Sequence, residues 1–126
     1  MNATLDPCDL VDVPSPANYE AVLSKRRVSD MTRAMLCALY SAPARTLTAG
    51  QLAIAVGLEK HYEVNFRLGP FAASLCRVLD RQPRLKVAVL VRFCAVPDLG
   101  DGLITWTLLP EVATALERLG WVRPAA

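Results

Sequence analysis

The sequence predicts an α+β fold that is mostly helical, and three observations predict it. Apolar residues recur at helical spacing between residues 16 and 79, two alternating runs flank a turn-forming segment at residues 97–102, and a last helical pattern begins at Pro110. The chain has 126 residues, of which 53% are hydrophobic, so it can bury one substantial core. This order of elements is that of a winged helix-turn-helix: helices 1–3, a β-hairpin wing and a C-terminal helix. We therefore predict an extended acidic arm over residues 1–15 and a winged-helix domain over residues 16–126.

Two serines predict where the first two helices begin. Ser15 can cap a short helix that has Pro16 at its first position, and Ser29 can cap a second helix that runs to about Ser41. The apolar stripes of these two helices consist of Tyr19, Val22 and Leu23, and of Met35, Leu36, Leu39 and Tyr40.

Residues 46–58 carry the strongest local signal. Thr48 and Gln51 can form a capping box, Leu52 begins an apolar face, and Gly57 can supply the left-handed residue of a sharp turn. A second helical pattern follows almost at once. The two helices are therefore predicted to cross steeply, as in the helix-turn-helix of DNA-binding proteins.

The next helix is predicted from about Glu59 to Leu79. Pro70 cannot donate a hydrogen bond to the carbonyl group of Phe66, so the sequence predicts either a kink or two short helices. The inward face is predicted to consist of Val64, Leu68, Phe71, Leu75 and Val78.

A β-hairpin and a closing helix complete the predicted domain. The first strand spans residues 85–96, the turn residues 97–102 and the second strand residues 104–108. The closing helix begins at Pro110 and ends at Gly120, where Trp121 can fold back in a Schellman-type end. One face of the first strand is predicted to carry Val87, Val89, Val91 and Phe93.

Basic residues concentrate in the middle of the chain. The net charge is only +2, but residues 25–95 hold twelve Lys or Arg against four Asp or Glu, between acidic ends. A basic middle favours a polyanionic partner, and a solvated surface without a partner is the alternative. The predicted wing tip carries Asp98 and Asp101, which would repel phosphates and so argue against simple DNA binding.

Composition argues against several other classes of protein. No apolar run approaches the ~20 residues that span a bilayer, and the chain does not start with the basic-then-apolar pattern of a secretory signal. We therefore expect a soluble, cytoplasmic protein of bacterial or phage origin. The cysteines have no C-x-x-C spacing and His61 is the single histidine, so we expect no zinc site and no cofactor. We interpret Cys37, Cys76 and Cys94 as buried thiols and Cys8 as an exposed thiol.

Two parts of the chain resemble a known group of modules. One is residues 47–57 together with residues 62–69, which include Asn65 and Gly69; the other is residues 109–122, which end in Leu-Gly-Trp-Val. Over residues 30–122 the chain resembles winged-helix modules found beside or fused to bacterial HNH-type restriction nucleases. The resemblance implies DNA recognition in restriction or mobile-element biology. It implies no nuclease activity here, because an HNH site needs several histidines or a metal-binding cluster, and any nuclease would be another chain.

The candidate contact residues come from the helix predicted over residues 59–79 and from basic residues elsewhere. In this helix, Lys60, Glu63 and Arg67 are predicted to share one edge. Arg67 can pair with guanine and Lys60 can reach a phosphate or guanine, and the alternative is a Glu63–Arg67 pair on a solvated helix. The nucleic-acid-binding candidates are Lys60, His61, Glu63, Arg67, Arg77, Lys25, Arg26, Arg27 and Arg45. The wider pool of phosphate contacts adds Arg81, Arg84, Lys86 and Arg92.

Four more side chains of this helix have two interpretations each. Asn65 can read adenine, or it can satisfy backbone freed at the Gly69–Pro70 break. Tyr62 and Phe66 can stack on bases or pack on a partner, or they can belong to the core. His61 can contact a phosphate, or it is an ordinary surface histidine.

The sequence thus favours a non-catalytic winged-helix protein that binds double-stranded DNA. The alternative is a protein-interaction module, or a phage-type inhibitor of a bacterial defence complex, whose partner is a nuclease or defence subunit. No enzyme is predicted, because the chain shows neither a nucleophile–base nor a metal constellation. No membrane contact is expected, and a homodimer through the N-terminal arm or the last helix stays open.

Overall fold

The computed structural model describes residues 12–95 and 104–124, which form five α-helices and one small antiparallel sheet. The predicted α+β, mostly helical fold is therefore confirmed at this level. The predicted arm up to residue 11, with Cys8, and the predicted turn with Asp98 and Asp101 lie outside the described residues. In chain order the elements are α1 (Pro16–Lys25), α2 (Asp30–Ser41), β1 (Thr46–Thr48), α3 (Ala49–Ala55), α4 (Glu63–Leu79), β2 (Val91–Ala95), β3 (Ile104–Leu108) and α5 (Pro110–Arg118).

The predicted helix caps are confirmed. The Ser15 and Ser29 hydroxyl groups accept hydrogen bonds, both of 3.2 Å, from the backbone N–H groups three residues ahead. Thr48 accepts from the N–H of Gln51 at 3.1 Å, and the Gln51 side chain accepts from the N–H of Thr48 at 3.0 Å. Each bond satisfies a donor that the first turn of a helix leaves unpaired, so these short polar side chains fix where the helices begin.

The sheet has the strand order β1-β3-β2, and its first strand was not predicted. β1 follows a short 3-10 turn and pairs antiparallel with β3, so that Thr46 lies opposite Thr107 and Thr48 opposite Thr105. The strands β2 and β3 form the predicted hairpin. Thr48 thus ends β1 and caps α3, and the sheet runs into the helix with no intervening linker.

The prediction of one long strand over residues 85–96 is wrong at its start. Lys86–Val89 form a 3-10 turn that packs on α4, and the strand begins only at Val91. Five consecutive residues, 87–91, are buried, so no alternation of faces is possible there. The hydroxyl group of Tyr19 on α1 donates to the Val89 carbonyl at 2.5 Å and so pairs a buried backbone acceptor.

The helix α4 begins at Glu63, not Glu59, and it continues through Pro70. The prediction of two short helices is therefore wrong. Pro70 is exposed, so water can reach the side of the helix on which the proline removes a hydrogen-bond donor. The inward face is confirmed at Val64, Leu68 and Leu75 and wrong at Val78, which is 56% exposed; Ala72 and Cys76 are buried instead.

The core lies between α4, α2, α5 and the inner face of the sheet. α1 packs across α5 and α4. α5 ends as predicted: Gly120 has a φ of +75°, and the N–H of Trp121 donates to the Leu116 carbonyl at 3.1 Å. Within residues 12–95 and 104–124, no helix is both long enough and apolar enough to cross a membrane. The fully buried large side chains include Tyr19, Met35, Leu36, Leu39, Leu52, Leu68, Leu75, Leu108 and Leu116.

Candidate nucleic-acid interface

A turn over residues 59–62 precedes α4 and carries two candidate residues. The N–H of Glu63 donates to the Lys60 carbonyl at 3.1 Å, and the N–H of Val64 donates to the His61 carbonyl at 3.2 Å. Lys60 and His61 are both exposed, but they lie in this turn before the helix. The prediction that Lys60 continues the helical edge of Glu63 and Arg67 is therefore wrong. Glu63 is half-buried in the first turn, where its negative charge stabilises the positive end of the helix dipole.

Aromatic rings line the exposed side of the same turn and helix. Tyr62 is 51% exposed and Phe66 is 75% exposed, so the interpretation of these residues as core is wrong. Their ring centroids lie 5.9 Å apart in an edge-to-face arrangement, and those of His61 and Tyr62 lie 6.0 Å apart in a similar one. Exposed rings held in a row offer apolar area to a ligand without first leaving a core.

Arg67 lies one position beyond Phe66 on α4 and is exposed. The described residues form three ion pairs, none of which includes Glu63 or Arg67. The alternative of a Glu63–Arg67 pair is therefore not found. The three ion pairs instead use Asp12, Glu20 and Glu117, which come from the acidic ends of the chain. Their basic partners are Arg81, Arg118 and Arg45.

The remaining basic candidates fall into two groups. Lys25, Arg26 and Arg27 follow α1, and Arg77 lies ten residues after Arg67, about 15 Å further along α4. These four form no ion pair with any described residue. Arg45 is different, because its Nη2 lies 3.8 Å from Glu117 Oε2 and its guanidinium group covers the Tyr40 ring at 4.6 Å. Internal contacts thus hold Arg45 on the side of the molecule formed by α2 and α5.

Asn65 is exposed on α4, and the interpretation in which its side chain satisfies backbone freed at the Gly69–Pro70 break is wrong. Its side chain makes no hydrogen bond with the backbone near Gly69 or with any other described residue. The helix is unbroken there, so the break that Asn65 was expected to satisfy does not exist. Asn65 instead lines a groove between α4 and the hairpin.

Two grooves flank α4. The first has a volume of about 490 Å³, lies between α4 and the hairpin, and is mostly apolar; its walls include Leu85, Phe93, Ile104 and Trp106. The second has a volume of about 620 Å³ and lies along the C-terminal half of α4, where its walls include Pro70, Arg77, Arg81 and Lys86. Lys86 lines both grooves, and Asp80 also lines the second one, so a single positive charge borders the first groove and both signs of charge border the second.

Two cysteine thiols have a described environment. Burial raises the pKa of both, and each donates a weak hydrogen bond to a backbone carbonyl group. The prediction of a buried thiol is confirmed for Cys76, whereas Cys37 is half-buried. The Cys94 side chain lies outside what the structure describes. In the described part of the chain, no three His, Cys, Asp or Glu residues come together as metal ligands could.

The sequence-level reasoning missed the exposure of one residue of α3, and it assigned Lys86, one of the predicted phosphate contacts, to the wrong element. Ile54 on α3 is 80% exposed, and Lys86 lines both grooves beside α4. The predicted apolar face of Leu52, Ala55 and Val56 is confirmed at Leu52 and wrong at Ala55, which is exposed, while Ala53 is buried instead. Lys86 was placed in a strand, and its position follows only from the 3-10 turn.

Comparison with known proteins identifies no relative of the chain: no family model, no curated protein and no solved structure matches it. The resemblance to winged-helix modules beside HNH-type nucleases therefore stays a prediction.

Proposed function

We propose that the chain is a non-catalytic winged-helix protein that binds double-stranded DNA through the N-terminal half of α4. The observation that carries this proposal is the exposed side chain of Arg67, which forms no ion pair with any described residue and follows the exposed rings of Tyr62 and Phe66 along the chain. A helix that presents an exposed cationic side chain and exposed aromatic rings is suited to a groove lined by base edges and phosphates.

The order of elements supports the same proposal. In a winged helix-turn-helix, a short strand before the second helix of the domain pairs with the hairpin, and the third helix enters the major groove. Here β1 precedes α3 and pairs with β3, and α4 follows. In this reading α2, α3 and α4 are the three helices, and β2 and β3 are the wing.

Each side chain then has a specific task. Arg67 donates a pair of hydrogen bonds to the O6 and N7 atoms of guanine, and Lys60 and His61 contact phosphates next to the turn. The Phe66 ring covers a thymine methyl group. Arg77 and the residues Lys25–Arg27 form the pool from which further phosphate contacts come, and Arg45 contributes least because Glu117 already neutralises it.

A mobility-shift titration on random duplex DNA at two salt concentrations tests the proposal. The wild-type affinity should fall steeply with salt, because each phosphate contact adds about −0.9 to the slope of log K against log salt. Arg67→Ala should weaken binding, with a slope reduced by about one if the contact is to a phosphate. The matched control is Arg118→Ala, which removes one positive charge from α5. A flat salt dependence, or an equal loss in both variants, would contradict the proposal.

The biological setting rests on the resemblance alone. It points to restriction, phage or mobile-element biology, in which the chain acts in the cytoplasm and recruits or regulates a nuclease carried by another chain. The reading frames next to the gene for this protein are the simplest test, because a nuclease or defence subunit encoded there would support this setting.

One observation favours protein interaction as a second function. The groove between α4 and the hairpin has apolar walls, and Leu85 and Ile104 are 46% and 48% exposed there. Apolar walls suit a protein segment better than a phosphate backbone. Two results together would favour this second function over DNA binding. The folded protein would bind no duplex even at low salt, and a nuclease-treated preparation of the wild-type protein would retain a protein partner that Ile104→Ser does not bind. The chain would then be an adaptor or an inhibitor that acts without DNA.

A further inference from the structure

A second basic site lies on a different side of the molecule from the proposed interface. A cavity of about 900 Å³ is bounded by the end of α2, the turn before β1, the strands β2 and β3, the helix α5 and the residues after it. No residue of α3 or α4 lines this cavity. Its charged residues are three arginines, Arg45, Arg92 and Arg123, and one carboxylate, Glu117.

Arg45 and Glu117 form a fixed pair on one wall. Ala44 and Arg45 both have left-handed backbone conformations, with φ of 54° and 53°, which residues with a Cβ rarely adopt. This backbone carries the Arg45 guanidinium group onto the Tyr40 ring and toward Glu117, and the Tyr40 hydroxyl group donates to the same carboxylate. Arg45 Nε is buried and has no hydrogen-bond partner among the described residues. The one carboxylate of the cavity is therefore already shared between a guanidinium and a phenol group.

The other two arginines have no such compensation. Arg92 on β2 lies opposite Thr107 on β3, which lies opposite Thr46 on β1, so that one row of polar residues crosses the whole sheet. The hydroxyl groups of Thr46 and Thr107 lie 2.8 Å apart. Arg92 and Arg123 are exposed and form no ion pair with the described residues.

A helix terminus adds to the positive field of the cavity. Leu109 and Pro110, the first residues at the N-terminus of α5, line the same cavity, and no side chain caps this terminus within the described residues. Glu111 in the first turn of this nine-residue helix offsets part of the positive end of its dipole, so the helix terminus adds less charge than the two arginines do. Two guanidinium groups without an ionic partner among the described residues thus line one cavity.

We propose that this cavity binds an oxoanion, namely a phosphate group, held by Arg92 and Arg123. The Thr46 hydroxyl group donates to the Ala44 carbonyl group at 2.8 Å, so the Thr107 hydroxyl group donates its proton to Thr46 and borders the site without donating to the phosphate. Guanidinium groups bind phosphate oxygens through paired, charge-assisted hydrogen bonds. The volume is that of a small-ligand site, so the phosphate group is either free or part of a small or larger ligand. The site shares no residue with the α4 surface, so its existence does not depend on the proposed DNA binding.

Titration of the intact protein with inorganic phosphate, followed by amide NMR shifts at constant ionic strength, tests this inference. We expect saturable shifts at Arg92, Thr107 and Arg123 that sodium chloride does not reproduce. Arg92→Ala should weaken phosphate binding by about tenfold, and Arg92→Lys should recover only part of it, because lysine lacks the paired donors. The matched control Arg118→Ala, which removes the same charge from α5 without lining the cavity, should bind phosphate like the wild type. Equal shifts with chloride, or equal affinities of Arg92→Ala and the wild type, would overturn the proposal.

A second arm identifies the source of the phosphate group. If it belongs to DNA, Arg92→Ala weakens both phosphate and duplex binding, and inorganic phosphate competes with the duplex. If it belongs to a separate ligand, Arg92→Ala lowers phosphate affinity and leaves duplex affinity unchanged. Both results support the site. If the wild-type protein binds no duplex, the titration with inorganic phosphate still tests the site by itself.

Discussion

Substitution of Phe66 by alanine should separate binding from stability. Phe66 is 75% exposed, so about 150 Å² of its ring and stem faces water if the whole side chain presents about 200 Å². If a groove wall covers half of that area, about 75 Å² of apolar surface leaves water on binding, which at about 25 cal/mol per Å² stabilises the complex by about 2 kcal/mol. Phe66→Ala should therefore weaken duplex binding by about 25-fold.

The same substitution should change the fold very little. The ring makes its edge-to-face contact with Tyr62 on the surface, so the free energy of unfolding should fall by about 0.5 kcal/mol or less. Fluorescence anisotropy with a labelled duplex measures the affinity, and urea denaturation measures the stability. Because no charge is removed, the salt slope of Phe66→Ala should equal that of the wild type.

Val78→Ala is the matched control for this experiment. Val78 is also a large exposed apolar residue of α4, but it lies near the opposite end of the helix. It should bind duplex as the wild type does. The reasoning is refuted if Phe66→Ala binds within about twofold of the wild type, or if the control loses as much affinity as Phe66→Ala does.

Three further predictions concern the scaffold. Thr48→Ala removes the capping box with Gln51 and should lower the free energy of unfolding, measured by urea denaturation, by about 1 kcal/mol. Thr48→Ser keeps the hydroxyl group and should be as stable as the wild type. Equal stabilities of all three proteins would contradict this prediction. Gly57 has a φ of +80° in open space, so Gly57→Ala should cost about 1 kcal/mol through backbone strain alone, and an unchanged melting temperature would show that the turn relaxes. Burial, and secondarily the charge of Glu111, raises the pKa of Tyr19 above its ordinary value of 10. The unfolded chain then loses the Tyr19 proton at a lower pH than the folded protein does. The free energy of unfolding should therefore be unaffected below pH 10 and should fall above it by up to about 1.4 kcal/mol per pH unit. Urea titrations at several pH values would measure this loss, which Tyr19→Phe should reduce.

The elements fixed by local chemistry were predictable. Ser15, Ser29 and Thr48 each satisfy a donor three residues ahead, and Gly120 closes α5 because a glycine adopts the left-handed conformation at little cost. None of these bonds depends on distant parts of the chain, so the residues themselves predict them.

The elements fixed by distant contacts were not predictable in the same way. β1 has three residues and exists because β3, almost 60 positions later, pairs with it. Lys86–Val89 form a turn because α4 and Tyr19 enclose them, although five successive apolar residues, 87–91, already argued against an alternating strand. Val78 continued a 3.5-residue repeat, which drifts around a helix with 3.6 residues per turn, and the buried face moved to Ala72 and Cys76 instead.

The candidate site follows the same division. The exposure of Arg67 was open to prediction, since its neighbours Val64 and Leu68 define the buried face of α4. The lack of an ion pair at Arg67 could not be predicted, because it depended on which arginines the carboxylates at the two ends of the chain contact. The position of Arg45 was hidden for the same reason, since its ionic partner Glu117 lies far from it in sequence.

Thr48 serves two elements at once, and this has a consequence for recognition. Its backbone pairs with Thr105 in the sheet, while its side chain starts the helix that packs beside α4. A movement of the hairpin would therefore also move the start of that helix. A partner that contacts both the hairpin and α3 finds them already in a fixed relative position. Binding then costs little conformational entropy, and the affinity depends closely on how well the shape of the partner fits.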